Sequence, residues 1–187
     1  IAAPRNEIEL KDMMYSAMEY PGGPYIIRYP RGYGEGVEWK EHGFERLAEG
    51  KGEKLMDGEA IAVIAAGPVA NRAVEAAMKM MEKTGKNPAI YNIRYIKPID
   101  TDLLTEICGK FSRIITVEDG TVIGGLYGAV TEFVSAQEKP LPVKAIGIPD
   151  RYLSQGTQQE LKQECGLTTE ELEMIFAKEF EKISKKD

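Results

Sequence analysis

Within the first thirty residues, the spacing of the apolar positions changes from that of a strand to that of a helix and back. Apolar positions recur at roughly helical spacing over residues 8–18, and Asn6 with Glu9 three residues later forms a capping-box pattern. Residues 1–3 are apolar and residues 25–29 are β-branched or aromatic except for Arg28, so each segment is predicted to be a strand. A single strand–helix–strand unit cannot cover both faces of its sheet. We therefore predict that this unit packs on the rest of the chain or on a second copy.

Beyond residue 52, short apolar runs alternate with helical stripes, which predicts a mostly parallel sheet with helices on both faces. Strands are predicted at residues 53–56, 61–65, 89–93, 112–117 and 140–147. Helices are predicted from Gly67-Pro68 to Gly85, after Asp100 or Thr101, from Gly124 to Ser135, after Thr157 and after Thr168.

Residues 33–51 are rich in Gly, Glu and Lys with scattered apolar positions. This composition and length predict a linker at a domain boundary. The expected organisation is a first unit over 1–32, the linker, and a second unit over 52–187. Within the second unit, Asp57-Gly58 predicts a hairpin between its first two strands.

Composition is that of an ordinary soluble protein, with 43% hydrophobic and 29% charged residues. A net charge of −6 argues against sequence-independent nucleic-acid binding. The longest apolar run, Ala60–Ala66, is far short of the ~20 residues that span a bilayer, so no membrane partner is expected. Two distant cysteines, Cys108 and Cys165, suit neither a disulfide framework nor a metal site and favour a cytoplasmic location. Because the chain begins at Ile1 without a methionine, we expect a fragment of a longer protein.

The strongest candidate for chemistry follows the strand predicted at 25–29. Pro30 ends that strand, Arg31 stands at its carboxyl end, and Gly32 and Gly34 leave the backbone free to turn. Ligand crevices of open α/β sheets lie at carboxyl ends of strands, and a guanidinium there can hold a phosphate or carboxylate with two parallel hydrogen bonds. Alternatively, Arg31 pairs only with a neighbouring acid or carbonyl.

Other charged residues also follow predicted strands. Glu118 and Asp119 could act as an acid/base or metal pair, but a capping or interface role is favoured because no histidine lies near them in the sequence. Arg94 and Lys97 could steer anions or pair with these two acids, and the pairing satisfies both signs at once.

Three further patterns have simple structural interpretations. Gly124–Gly128 at a helix start resembles a phosphate cradle, but close packing explains these glycines at least as well, because their order is not Gly-x-Gly-x-x-Gly. His42, the only histidine, is interpreted as a solvated linker residue. Methionines at helical spacing are predicted to fill the core rather than to form a partner groove. They are Met13, Met14, Met18, Met78, Met80 and Met81.

Several stretches together resemble one family. In order, they are Ala3–Leu10 (APRNEIEL), Ile27–Gly32 (IRYPRG), Gly50–Glu53 (GKGE), Asn92–Asp100 (NIRYIKPID), Thr116–Asp119 (TVED), Gly124-Gly125 and Gly147–Asp150 (GIPD). Over nearly its whole length, the chain resembles the C-terminal portion of the 1-deoxy-D-xylulose-5-phosphate synthases, which are transketolase-like enzymes.

This resemblance implies a fold and an activity for the full-length enzyme. Residues 1–32 would be the end of a pyrimidine-binding domain, and residues 52–187 a transketolase C-terminal domain. The family uses thiamine diphosphate and Mg²⁺ to join pyruvate, with loss of carbon dioxide, to glyceraldehyde 3-phosphate. The product feeds isoprenoid, thiamine and pyridoxal phosphate synthesis, and the family is homodimeric.

The resemblance assigns one site residue. The second arginine of Arg-Tyr-Pro-Arg-Gly helps to hold the substrate phosphate in the family, and here it is Arg31. Tyr33 departs from the smaller polar residue of many members. The family's cofactor and magnesium residues precede the position of Ile1, so no catalytic, cofactor or metal residue is assigned, and the fragment alone is expected to be inactive and to bind no cofactor. Alternatives are a transketolase, a 2-oxo-acid dehydrogenase β subunit, or a purely regulatory or dimerisation module.

Overall fold

The computed structural model describes residues 1–184, which form five strands and six helices. The strands are β1 (Glu53–Met56), β2 (Ile61–Ala66), β3 (Ala89–Asn92), β4 (Arg113–Thr121) and β5 (Val143–Ile148). The helices are α1 (Glu7–Met18), α2 (Val69–Thr84), α3 (Thr101–Lys110), α4 (Leu126–Ser135), α5 (Gln158–Glu164) and α6 (Thr169–Ser184).

The strands form one mostly parallel sheet, as predicted, in the order β1-β3-β2-β4-β5. β1 is antiparallel and pairs with β3, with Glu53 opposite Asn92. The predicted hairpin at Asp57-Gly58 is therefore wrong. All six residues of β2 are buried, and parallel partners occupy both of its edges, so β1 pairs elsewhere. Gly58 instead allows a close backbone approach, because a Cβ there would lie 2.2 Å from the carbonyl carbon of Pro88.

Helices cover both faces of the sheet, which confirms the predicted architecture. On one face, α2 and α6 bury alanines of α2 and the aromatic residues Phe176 and Phe180 against β2 and β4. On the other face, α3 and α4 pack Leu104, Ile107 and Val130 against the opposite side of the same strands. Each parallel strand therefore lies between two apolar layers, as its continuous apolar run requires.

The methionine prediction is only partly right. Met13 and Met80 are buried. The other four lie at the surface, with exposed fractions of 57% for Met14, 86% for Met18, 51% for Met78 and 46% for Met81. In α1 the reason is that the buried face is largely polar, and its buried residues are Glu9, Asp12, Met13 and Ser16.

The N-terminal unit packs on the following domain, as predicted, but its second strand is reduced to a single bridge. Ala2 pairs in parallel with Ile27 and antiparallel with Tyr95, and the Ala3 amide donates to the Arg94 carbonyl oxygen at 2.8 Å. Residues 25–29 do not form a continuous strand. In the described chain, the backbone that lies beside them is only the three-residue segment around Ala2, which is too short to pair with all five.

Helix α1 is attached through a buried carboxylate. Glu9 Oε1 accepts hydrogen bonds at 2.8 Å from Arg94 Nε and from Asn92 Nδ2, and Arg94 Nη2 also lies 2.6 Å from Glu53 Oε2. Burial would raise the pKa of Glu53, but Arg94 and the other partners outweigh it, and the net pKa is lowered.

None of the helices described is long and apolar enough to cross a membrane.

Candidate functional site

The order of the strands creates a crevice between the carboxyl ends of β2 and β4. The chain leaves β2 into α2, which covers one face, and leaves β4 into α4, which covers the other. Connections from two adjacent parallel strands therefore diverge to opposite faces. Ligands of open α/β sheets bind at such a switch point.

A cleft of about 340 Å³ lies at this position. One wall is the start of α1 with the segment Tyr29–Glu35. The opposite wall contains Pro68 and Arg72 of the α2 entry, Asp119 of β4, and side chains of α5. The N-terminal unit, the start of α2, β4 and α5 thus all contribute to one concave site.

Arg31 lies in this cleft with an exposed side chain. Its carbonyl oxygen accepts a hydrogen bond from Gln158 Nε2 of α5, which anchors the backbone. Among the described residues, no carboxylate lies within 4.0 Å of its guanidinium. In the described part of the chain, no ion pair therefore supports the alternative in which Arg31 only pairs with a neighbouring acid. Binding of a phosphate by Arg31 stays a prediction.

Two further cations line the cleft and were not anticipated from the sequence. Arg72 Nε donates to the Leu167 carbonyl oxygen at 3.2 Å, and its buried Nη2 has no hydrogen-bond partner among residues 1–184. Lys162 projects from α5. Because Arg72 lies in the first turn of the helix that follows β2, its sequence position could have placed it at the carboxyl ends of the strands. No local signal places Lys162, because α5 reaches the cleft only through the tertiary fold.

The acids of the cleft are largely engaged elsewhere. Glu7 Oε1 accepts the Gly36 amide at 2.7 Å. Although burial alone would raise the pKa of Glu7, hydrogen bonds from Gly36 and neighbouring amides lower it. Glu35 Oε2 accepts from Asn71 Nδ2 at 3.2 Å. Glu7 and Glu35 are thus held by hydrogen bonds, and the cations supply positive charge to a cleft that also contains the carboxylate of Asp119.

Glu118 caps a helix, as favoured from the sequence. Its buried side chain accepts the Leu126 amide at 2.7 Å through Oε2, and Arg28 Nη2 lies 2.7 Å from its Oε1. The predicted pairing of Arg94 and Lys97 with Glu118 and Asp119 is wrong. β3 and β4 flank β2 on opposite sides, so a full strand separates the two loops, and Arg94 pairs with Glu9 and Glu53 instead.

Of the glycines at the start of α4, only Gly125 is explained by packing. A Cβ on Gly125 would lie 2.1 Å from Glu118 Oε2, whereas a Cβ on Gly124 or Gly128 would meet open space. The Glu118 carboxylate already occupies the start of the helix, and a phosphate cradle there would have to displace it.

His42 does not simply extend into solvent. Its side chain is 38% exposed, and Nε2 lies 3.5 Å from Oδ2 of the buried Asp12. Glu45 completes a group of three donor side chains. His42 is exposed, as the interpretation of a solvated linker residue requires, but it also contacts Asp12 of α1.

Similarity to known proteins agrees with this architecture. Residues 50–172 match the family described as "Transketolase, C-terminal domain". The 1-deoxy-D-xylulose-5-phosphate synthase of Bacteroides thetaiotaomicron is 44% identical over 181 residues, which are 97% of this chain and 28% of that protein. The enzyme of the same name from Parabacteroides distasonis is 41% identical over 179 residues, again 28% of its length.

A solved structure described as "Split gene transketolase, inactive beta4 tetramer" superposes with a TM-score of 0.78 at 30% identity, covering 95% of this chain and 56% of the other. The chain spans little more than a quarter of the length of the curated relatives it matches. The family match, the parallel sheet and the synthase relatives lead to one assignment: this chain belongs to the transketolase C-terminal-domain family.

Proposed function

We propose that this chain is the C-terminal part of a 1-deoxy-D-xylulose-5-phosphate synthase, a transferase that joins pyruvate, with loss of carbon dioxide, to glyceraldehyde 3-phosphate. Two synthase relatives at 44% and 41% identity support the proposal. The observation that carries it is the Arg31 guanidinium in the switch-point cleft, which has no ion-pair partner among residues 1–184.

Arg31 would hold the phosphate of glyceraldehyde 3-phosphate. Its planar guanidinium can donate two parallel hydrogen bonds to a phosphate, and Arg72 and Lys162 add positive charge to the same cleft. The backbone of Arg31 is fixed by Gln158, so less conformational freedom is lost when the substrate binds.

The residues of this chain do not fit the cofactor of the proposed enzyme. Among residues 1–184, the group of side chains with metal-ligand spacing is Asp12, His42 and Glu45. It contains an imidazole, whereas Mg²⁺ on a diphosphate prefers oxygen ligands. Thiamine diphosphate and Mg²⁺ would be held by the part of the enzyme outside this chain, and we propose that the chain alone neither binds them nor has synthase activity.

The remaining proposals concern assembly and location. A homodimer is supported by the exposed apolar side chains of α1 and by the tetrameric description of the solved relative. A cytoplasmic location is supported by the free thiols of Cys108 and Cys165. The transketolase description of the solved relative favours a second candidate, a transketolase that does not decarboxylate pyruvate. Release of carbon dioxide from pyruvate by the full-length enzyme would separate the two.

Substituting Arg31→Ala in the full-length enzyme tests the phosphate role. Losing a bidentate contact worth about 2–3 kcal/mol should raise the KM for glyceraldehyde 3-phosphate about 30- to 150-fold and leave the KM for pyruvate within about twofold. Arg46→Ala is the matched control, because Arg46 is also exposed but lies outside the cleft. Equal effects on both substrates would contradict the role.

A further inference from the structure

We propose that Asp12, His42 and Glu45 form a binding site for Zn²⁺ or a similar divalent transition metal, separate from the cleft of Arg31. Asp12 projects from α1, and His42 and Glu45 come from the segment that follows the cleft wall Tyr29–Glu35. One donor atom from each residue lies within 4.8 Å of the other two. The proposal does not depend on the proposed synthase function.

The spacing suits a small tetrahedral ion. With metal–ligand distances of about 2.0–2.2 Å, neighbouring donors of a tetrahedral zinc site lie about 3.3–3.6 Å apart. The 3.5 Å between His42 Nε2 and Asp12 Oδ2 falls in that range. Glu45 is exposed, so its carboxylate can rotate to the remaining ligand position. One imidazole with two carboxylates favours zinc-class metals over Mg²⁺ or Ca²⁺.

The state of Asp12 is an independent indication. Only 2% of this residue is exposed. Oδ1 accepts the Glu45 amide at 3.0 Å, whereas the hydrogen bonds of the described chain leave Oδ2 facing His42 at 3.5 Å. In the described chain this oxygen contacts only the His42 imidazole, at 3.5 Å, so a cation bound between the two would complete its coordination. The amide bond to Oδ1 also orients the carboxylate, as outer-shell partners do in metal sites.

The surroundings hold the donors in place without occupying them. Lys11 Nζ donates to the carbonyl oxygens of Trp39 and His42, so it fixes the backbone of the loop and leaves the imidazole facing Asp12. Ser16 Oγ donates to the Asp12 carbonyl oxygen at 2.7 Å and accepts the Leu47 amide at 2.9 Å. A protonated His42 paired with Asp12 would explain two of the three groups. It would not explain why a second carboxylate lies beside them.

The single histidine provides a direct test. In the 187-residue chain without an affinity tag, and with Cys108→Ser and Cys165→Ser to remove competing thiols, the imidazole NMR signals belong to His42 alone. Titration with zinc chloride at neutral pH should shift them and saturate at one equivalent, and the metal should raise the Tm. Unshifted imidazole signals would overturn the site.

Three variants define the ligands. Glu45→Gln should weaken zinc affinity at least tenfold and abolish the rise in Tm. Asp12→Asn should do the same while keeping an oxygen for the Glu45 amide, and folding of both variants is checked by circular dichroism. Glu41→Gln, a neighbouring exposed acid outside the group, should bind zinc like the parent chain. Equal affinity of Glu45→Gln and the parent, or equal loss in Glu41→Gln, would show binding elsewhere on the surface.

Discussion

Gly32 follows Arg31 in the cleft and has a φ of +147°, a region that other residues rarely adopt. A Cβ at this position would lie 2.5 Å from Gln158 Nε2, the group that donates to the Arg31 carbonyl oxygen. The glycine therefore permits both the backbone turn and the contact that anchors Arg31. Replacing Gly32 by alanine would therefore disturb the candidate site without changing the Arg31 side chain.

Gly32→Ala should lower stability by about 1–2 kcal/mol, through backbone strain and through the displacement of Gln158. Gly36→Ala is a matched control, since Gly36 also has a positive φ of +80° but has open space where its Cβ would lie. Urea denaturation of both variants separates strain from displacement. A Gly32→Ala variant no less stable than Gly36→Ala would contradict the role assigned to the Gln158 contact.

Residues of the site differ in how far the sequence could predict them. Arg31 was identified because Pro30 and two glycines mark its surroundings locally. Arg72 and Lys162 were missed, since their proximity to Arg31 depends on how α2 and α5 pack. His42 and Asp12 were not paired in advance, because the 29 residues between them bring His42 back to α1 only in the folded chain.

Helices were predicted well from their ends, because caps are local. Asn6, Asp100 and Thr157 each accept a backbone amide of the first turn, as their patterns indicated. The buried face of α1 was mispredicted, since Glu9 is buried by its ion pair with Arg94 and not by apolar packing. The pairing of β1 with β3 was also missed because it depends on contacts distant in the sequence. Asp57-Gly58 indicates only a local turn, whereas the partner of β1 is determined by the packing of the whole sheet.

Helix α6 carries a buried carboxylate that should make stability depend on pH. Glu179 is fully buried and lies 2.7 Å from both Arg113 Nη1 and Lys182 Nζ. Burial would raise the pKa of Glu179, but these cations and Lys144 outweigh it and hold the pKa below its ordinary value. A carboxyl whose pKa is lower in the folded state stabilises the fold above its unfolded pKa and loses that contribution as the pH falls through the folded value.

Glu179→Gln should therefore lower the free energy of unfolding at pH 7 by about 1–3 kcal/mol, because it leaves the partly buried Arg113 guanidinium without its charged partner. Stability of the parent should fall as the pH drops below about 4.5, and the variant should show less of that fall. Glu170→Gln is the control, because Glu170 forms an exposed pair with Lys79, and solvent screens a pair of this kind so that it contributes little to stability. Parallel pH curves of unfolding for Glu179→Gln and the parent would refute this assignment.

At the scale of the whole molecule, the exposed apolar surface indicates association. Met14 and Met18 of α1 lie at the surface, as do Trp39 and Phe44 of the segment after the Arg31 loop. Met14, Trp39 and Phe44 line one hollow together with Met18. Clustered apolar side chains of this kind mark contact surfaces more often than isolated ones do.

Sedimentation velocity of the 187-residue chain should show a dimer. Met14→Glu should shift the population towards monomer, because it would place a charge in the hollow. Met174→Glu, a change of equal chemistry on the exposed face of α6, should leave the dimer intact. A parent chain that sediments as a monomer would refute the proposed dimer, and equal sedimentation of the parent and Met14→Glu would remove α1 from the interface.

The position of Ala2 has a consequence for local opening. Its amide donates to the Ile26 carbonyl oxygen, its own carbonyl oxygen accepts from the Arg28 amide, and the next amide, of Ala3, donates to Arg94. Two buried residues, Ala2 and Ala3, thus tie the segment before Arg31 to the edge of the second unit. Deuterium uptake at the amides of Ala2, Ala3 and Arg28 should consequently be slow and synchronous, since none of the three can open unless the first residues leave together.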